Sequence, residues 1–139
     1  MKTILTVILS GLGVIMVMEC NAGFGRNAAG YFMTPKVAYI EPKDQAVVDI
    51  TAKDSLKFAW RNVPMPAGGV EAYRFKVYMG VNQVIFAKNL CEGVFQVEVP
   101  ASIFDDGKVY TWRVQQRDAR SMNWSEYDTW SFRIVKKNP

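Results

Sequence analysis

The sequence predicts an all-β protein, a seven-stranded antiparallel β-sandwich preceded by an N-terminal signal helix. Between residues 36 and 136, short runs of alternating apolar and polar residues follow one another, which is typical of half-buried strands. Turn-forming Gly, Pro, Asn and Asp residues separate these runs, and no run has the spacing of an amphipathic helix. Many short strands without helices indicate a sandwich of two packed sheets.

The first 22 residues have the features of a secretory signal peptide. Lys2 gives a basic start, and an apolar run extends from Ile4 to Met18. This run is about 15 residues long, shorter than the ~20 that a transmembrane helix needs. The small-residue rule favours cleavage after Ala22. We therefore expect a protein that is secreted, periplasmic or held at the cell surface, with no membrane span after cleavage.

Cys20 leaves two other interpretations of this segment open. A cysteine directly after an apolar stretch is typical of bacterial lipoproteins, which would make Cys20 a lipid anchor, but the preceding Glu19 is not the small residue that such processing needs. A retained signal anchor is the third interpretation. If cleavage removes Cys20, Cys91 is the one remaining cysteine, either buried or available to another chain; if the segment stays, a Cys20–Cys91 bridge is conceivable.

After the signal peptide we expect a flexible tether over residues 23–35 and one domain over residues 36–136. The seven predicted strands, in chain order, are Val37 to Glu41, "SLKFAW", "YRFKVYM", "QVIFAK", "VFQVEV", residues 109–118 and "TWSFRIV". The stretch "NVPMPAGG" between the second and third of these has two prolines and two glycines, which predicts a loop.

The stretch "FDDGKVYTWRVQQRD" makes the fold more specific. Phe104 lies six positions before Tyr110, with Gly107 between them, and this resembles the leucine, proline-glycine, tyrosine pattern before strand F of fibronectin type III domains. "LKFAW", which contains Trp60, is similar to strand B of that family with its core tryptophan. The resemblance implies a fibronectin type III sandwich in which the Tyr110 hydroxyl bonds to the main chain at a corner. Asp106 stands where the family usually has proline.

Within the predicted strand F, alternation assigns each side chain to a face. Trp112 and Val114 should point into the core, whereas Arg113, Gln115 and Arg117 should point outward. The following "WSEYDTWSF" resembles a loose version of the Trp-Ser-x-Trp-Ser signature of cytokine-receptor domains, although its second tryptophan is displaced. This resemblance implies that Trp124 stacks with Arg117 or Arg113 as a structural brace.

The composition argues against catalysis. The chain has no histidine, which removes the usual general base and every Ser-His-Asp or Cys-His arrangement. Asp105 and Asp106 are adjacent on a predicted turn, where they are expected to form the turn; calcium binding there is the alternative. We expect no enzyme activity, no cofactor and no metal site. The net charge of +4 is scattered along the chain, so we expect no nucleic-acid partner.

The function predicted from these features is a non-catalytic binding or adhesion module that recognises a cell-surface polysaccharide or protein. In sandwiches of this type the B–C and F–G loops emerge at the same end. The predicted binding residues in or beside these loops are Met65, Arg120, Met122, Trp124 and Tyr127. Alternatively, the two methionines cap the open end of the core. A second function is open, namely an envelope or appendage subunit that assembles through its sheet edges and tether, and such assembly would form oligomers.

Overall fold

In the computed structural model of the 139-residue chain, residues 4–9, 14–19, 34–64 and 69–138 are described, the first two segments by their backbone alone. They form ten strands and one short 3-10 turn at Ala101–Ile103. The strands, in chain order, are β1 (Ile4–Leu9), β2 (Val14–Glu19), β3 (Ala38–Glu41), β4 (Ala46–Asp49), β5 (Ser55–Arg61), β6 (Val70–Met79), β7 (Gln83–Cys91), β8 (Gln96–Pro100), β9 (Val109–Asp118) and β10 (Trp130–Val135).

Strands β3 to β10 form the two sheets of a β-sandwich. One sheet has the order β3-β5-β8, and the other has the order β4-β10-β9-β6-β7. Consecutive strands therefore change sheets repeatedly, as they do in immunoglobulin-like sandwiches. The all-β prediction is confirmed.

The predicted count of seven antiparallel strands is wrong, because the two sheets contain eight. Each predicted strand overlaps an observed one, and β4 is the addition. It pairs in parallel with β10, with Ala46 opposite Phe132. The four residues of β4 are too short a run to be recognised as a strand by alternation, and their hydrogen-bonding partner lies far along the chain.

The predicted N-terminal signal helix is also wrong in this structure. β1 and β2 pair as an antiparallel hairpin, with Ile4 opposite Glu19 and Leu9 opposite Val14. Both strands are rich in β-branched residues, which favour extended backbone over helix. β2 lies close to β7, an outer strand of the larger sheet. The part of the chain that the structure describes contains no helix that is long and apolar enough to cross a membrane.

The core between the two sheets is filled by aromatic rings on alternate positions of β5, β6 and β9. The rings of Phe58 and Phe75 meet edge to face at 5.1 Å, and Phe58 meets Trp112 at 5.4 Å. Trp60 stacks on Phe75 from the other side at 5.8 Å. These four side chains are fully or almost fully buried. Such ring pairs contribute about 0.5–1.5 kcal/mol each beyond the burial of their area.

Tyr110, at the start of β9, forms a corner contact. Its hydroxyl accepts a hydrogen bond from the backbone N–H of Asp105 at 2.8 Å, and its ring meets Phe104 edge to face at 5.0 Å. Gly107 between them has φ of 74°, a left-handed conformation that glycine adopts without strain. The Asp106 carboxylate accepts the backbone N–H of Lys136 at 2.7 Å. The two adjacent aspartates therefore take part in a turn.

Candidate binding site

The outward face of β6 and β9 carries several cationic side chains. Because successive strand residues point to opposite faces and Phe75 is fully buried, Arg74 and Lys76 lie on the outward face of β6. The antiparallel register places Lys76 opposite Arg113 and Arg74 opposite Gln115. The alternation that builds the core thus also brings three cations together on the surface.

Arg113 is held between two tyrosine rings. Its guanidinium carbon lies 4.5 Å from the ring centroid of Tyr78 and 4.7 Å from that of Tyr127. Its Nε donates to the Thr129 hydroxyl at 2.9 Å, and its two Nη atoms reach the Tyr127 hydroxyl and the Val81 carbonyl, each at 3.4 Å. These contacts fix the plane of the guanidinium group before any ligand arrives.

Trp124 lies between two further arginines. The guanidinium carbon of Arg74 is 4.2 Å from the indole centroid, and that of Arg117 is 5.5 Å away. Arg117 also lies 3.4 Å from the carboxylate of Glu71 and donates its Nε to the Met122 carbonyl at 3.0 Å. The charge of Arg117 is therefore compensated within the protein, whereas Trp124 acts as a brace for Arg74.

The segment that carries Trp124 is fixed to the side of β9 by hydrogen bonds. The Ser125 N–H donates to the Gln116 carbonyl at 2.8 Å, and the Ser125 hydroxyl accepts the Gln116 N–H at 3.1 Å. The side chain of Gln115 donates to the Ser125 carbonyl at 2.7 Å. As a result, the residues after β9 run along the strand instead of extending into solvent.

Tyr39 of β3 holds the later part of the connection between β9 and β10 in place. Its hydroxyl accepts the backbone N–H of Val114 at 3.0 Å and donates to the carbonyl of Asp128. Burial raises the pKa of the Tyr39 hydroxyl well above its usual range, so the group stays protonated and remains a donor. The contact holds the connection that contains Tyr127 against the sandwich.

These elements enclose a groove of about 300 Å³, which we call the cationic groove; it is lined by Arg74, Lys76, Tyr78, Arg113, Gln115 and Tyr127. In the described part of the chain the ion pairs join Lys36 with Asp128, Lys57 with Glu41, and Arg117 with Glu71. None of them neutralises a cation that lines the groove. Like charges on opposed strand positions destabilise a sheet. The groove is therefore suited to an anion.

A larger groove of about 560 Å³ lies where the chain passes from β3 to β4. Both lysine and glutamate side chains line this groove, and Lys57 Nζ lies 2.8 Å from the Glu41 carboxylate. Because the protein already compensates much of this charge, we regard the smaller cationic groove as the better candidate for ligand binding.

The structure separates the five predicted binding residues. Tyr127 lines the cationic groove with 43% of its surface exposed, and Trp124 supports the groove from the side. Arg120 is exposed at the loop tip and does not line the groove, and Met122 is half-buried with a positive φ of 62°. Met65 lies outside the described residues.

The described ends of the first predicted loop, at residues 62–64 and 69, lie beside the connection after β9 at one end of the sandwich. The Ala119 N–H donates to the Gly69 carbonyl at 3.1 Å, and the side chain of the buried Gln116 donates to the Val63 carbonyl at 3.1 Å. These contacts join the connection before β6 to the connection after β9. The candidate site, however, lies on the sheet face beside this end and not at the loop tips.

Sequence reasoning missed the contribution of β6, namely Arg74, Lys76 and Tyr78. It assigned Arg113 and Gln115 to the outward face without placing them in a site. The alternation in "YRFKVYM" marks Arg74 and Lys76 as outward-facing, so one signal was present. The strand register, which sets Lys76 opposite Arg113, could not be predicted from the sequence.

Cys91, at the end of β7, is disulfide-bonded in the structure, and it is nearly buried. The sequence predicts Cys91 to be a lone cysteine, either buried or available to another chain, only for a chain from which cleavage has removed Cys20. The structure is that of the full chain, so this interpretation stays a prediction. The other cysteine of the sequence is Cys20, which lies outside the described residues. No group of three or more His, Cys, Asp or Glu side chains that could hold a metal ion occurs in the part of the chain that the structure describes.

Comparisons with known proteins show structural likeness without a family match. No family model matches the chain, and no curated protein matches it. Among solved structures, CopC from Methylosinus trichosporium OB3b is similar, with 9% sequence identity and a TM-score of 0.48. The likeness covers 74% of this chain and 97% of the CopC chain.

Proposed function

We propose that this protein is a non-catalytic extracytoplasmic binding module that recognises a negatively charged ligand of the cell surface, a polysaccharide or a protein, through the cationic groove. The register pair Lys76 and Arg113 carries the proposal. Opposed like charges cost stability, and a protein retains such a pair most readily where a ligand of opposite charge binds.

The fixed geometry of the groove supports the same function. Arg113 already has its plane set by Tyr78 and Tyr127, and Arg74 is braced by Trp124. An arginine that is ordered before binding loses less conformational freedom when it pairs with an anion. The sheet beneath the groove is rigid because its inner face is the aromatic core.

Isothermal titration with three probes tests the proposal: polygalacturonate, poly-glutamate and neutral dextran. We expect saturable binding of at least one anionic probe, no binding of dextran, and loss of binding in Lys76→Glu. The matched control is Lys43→Glu, which makes the same charge change in the exposed turn between β3 and β4. Equal loss of binding in both variants, or no anionic binding at all, would refute the proposed site.

Export through a signal peptide at residues 1–22 and membership of the fibronectin type III type are parts of this proposal. The Tyr110 corner contact and the strand order support the type. Intact mass of the exported protein, measured with and without reductant, tests the export. Cleavage after Ala22 removes Cys20, so a disulfide at Cys91 would then join two chains. A chain that begins at a lipid-modified Cys20 would contradict simple secretion.

The second candidate, an assembly subunit of the envelope or of a surface appendage, is favoured by the edge strand β7. This strand is at one end of the five-stranded sheet, and Val84 on it is 48% exposed. Cleavage after Ala22 would remove β2, which lies close to β7, and would uncover the edge further. An exposed edge can add a strand from a neighbouring molecule. Stable homo- or hetero-oligomers in native mass spectrometry, abolished by Val84→Lys, would favour this function over ligand binding.

A further inference from the structure

We propose that the ligand of the cationic groove is an acidic polysaccharide whose carboxylate or sulfate groups bind at two subsites, one at Arg113 with Lys76 and one at Arg74. This inference rests on the proposed function and narrows it to one class of ligand. Three features of the groove and its surroundings carry it: two separate cationic positions, neutral amides beside them, and aromatic rings that lie against guanidinium groups.

The two subsites follow from the strand register. Arg74 is opposite Gln115, and Arg113 lies two residues before Gln115 on the same strand. Arg74 and Arg113 are therefore diagonal neighbours, with backbones roughly 7–8 Å apart. A ligand with acidic groups on successive units of a linear chain can occupy both positions, whereas a single small anion occupies one.

Neutral amides accompany the cations. Gln115 lines the groove and donates one of its two side-chain N–H groups to the Ser125 carbonyl, which leaves its other N–H and its oxygen for a ligand. Asn89 on β7 is opposite Arg74 on the other side of β6 and is exposed beside the groove lining. Amide groups both donate and accept hydrogen bonds, as sugar hydroxyls do. A polyphosphate chain offers acceptors alone and would leave the amide oxygens without a donor. The arrangement of amides beside cations thus favours a hydroxyl-bearing acid.

The aromatic rings argue against single-stranded nucleic acid, whose bases stack on open aromatic faces. Arg74 and Arg117 lie over Trp124, and Arg113 lies over both Tyr78 and Tyr127. Tyr78 is only 8% exposed. Tyr127, which is 43% exposed, is the groove ring with open surface, and a single ring offers no platform for successive stacked bases. The rings therefore mainly orient guanidinium groups, so the groove recognises charge and hydroxyl groups.

The test measures the affinity of the full chain for four probes of matched total charge by isothermal titration: oligogalacturonate, a sulfated dextran fragment, polyphosphate and single-stranded DNA. We expect one of the two saccharides to bind most tightly. Arg113→Lys keeps the charge but loses the planar fork, and it should weaken saccharide binding about tenfold. Asn89→Ala should weaken saccharide binding roughly two- to tenfold and leave polyphosphate binding unchanged.

The outcomes separate this inference from the proposed function. The stronger saccharide identifies the acidic group as carboxylate or sulfate. If polyphosphate or DNA binds more tightly than both saccharides, and Lys76→Glu abolishes that binding, the groove is an anion site but the polysaccharide inference is wrong. If Asn89→Ala weakens all four probes alike, or none, hydroxyl recognition is wrong. If no probe responds to Lys76→Glu, both proposals fail; folding of each variant is verified by its thermal melt.

Discussion

Lys76 and Arg113 are register partners in the antiparallel ladder between β6 and β9, so two positive side chains start from opposed positions on the same face of the sheet. Stability alone would favour opposite charges at such a pair. The repulsion between these two positive charges lowers the stability of the fold, and the same two charges allow the groove to bind an anion. A change of the charge at Lys76 should therefore alter stability and binding in opposite directions.

Lys76→Glu is expected to stabilise the fold while it removes anion binding. The substitution replaces a repulsion with an attraction to Arg113, which should raise the free energy of unfolding by about 0.2–1 kcal/mol. Urea melts at low ionic strength measure this change, and added salt should reduce it because salt screens exposed charges. A decrease in stability would show that Lys76 has a structural role that the register does not reveal.

Tyr110→Phe is expected to destabilise the fold without affecting ligand binding. The change removes the hydroxyl that accepts the Asp105 N–H, and leaving this donor unpaired should cost about 1–3 kcal/mol. Tyr127→Phe is the matched control, because Tyr127 is exposed and its hydroxyl makes one long contact of 3.4 Å, with Arg113 Nη1. Equal denaturation midpoints for Tyr110→Phe and the wild-type protein would show that the corner contact contributes nothing.

Tyr127→Ala and Arg120→Ala are expected to differ, although both residues belong to the same connection. Tyr127 covers one face of Arg113, so its removal should free the guanidinium and weaken anion binding about three- to tenfold. Arg120 is exposed away from the groove, and its removal should leave binding unchanged. Melting temperatures should stay close to wild type in both. Loss of binding in Arg120→Ala would move the site to the loop tip.

The stacking of Trp124 on Arg74 should appear as a coupling free energy. In a double-mutant cycle with Trp124→Leu and Arg74→Met, the two changes should be non-additive by about 0.5–2 kcal/mol in urea melts. The pair Trp124 and Lys76 is the control cycle, because no ring contact joins them. Additivity within error for Trp124 and Arg74 would mean that the indole does not brace the arginine.

The strands of the sandwich core could be predicted from the sequence because burial on one face imposes alternation. "SLKFAW" and "YRFKVYM" placed Phe58 and Phe75 on inward positions, and both are buried. The strand β4 could not be predicted in the same way. Its pairing depends on β10 near the other end of the chain. Its residues alternate between half-buried and exposed, but the apolar Val47 is on the exposed side, with 67% of its surface exposed, so the sequence AVVD does not alternate between apolar and polar residues.

The candidate site was only partly predictable for a related reason. Alternation marks Arg113 as outward, but it does not say which strand lies beside it. The loop residues were chosen because apolar or charged groups in predicted loops suggest binding; of these, Tyr127 lines the groove because Tyr39 and Ser125 fix the connection against the sandwich. Such long-range hydrogen bonds have no local sequence pattern.

Stability should fall at high pH because of Tyr73. Burial, and next to it the negative charge of Glu92, raise the pKa of the Tyr73 hydroxyl from 10.0 to about 12 in the folded protein. Between these values the unfolded chain has lost the proton and the folded chain keeps it. The contribution of this hydroxyl to stability is therefore fully present below pH 10 and is lost as the pH rises toward 12.

Other groups titrate in this range, so the measurement is the difference in the free energy of unfolding between wild type and Tyr73→Phe, in urea melts from neutral to alkaline pH. We expect the variant to gain stability relative to wild type as the pH rises through this window, because it has no proton to lose. A constant difference across the window would show that the Tyr73 hydroxyl ionises as readily in the folded chain as in the unfolded one.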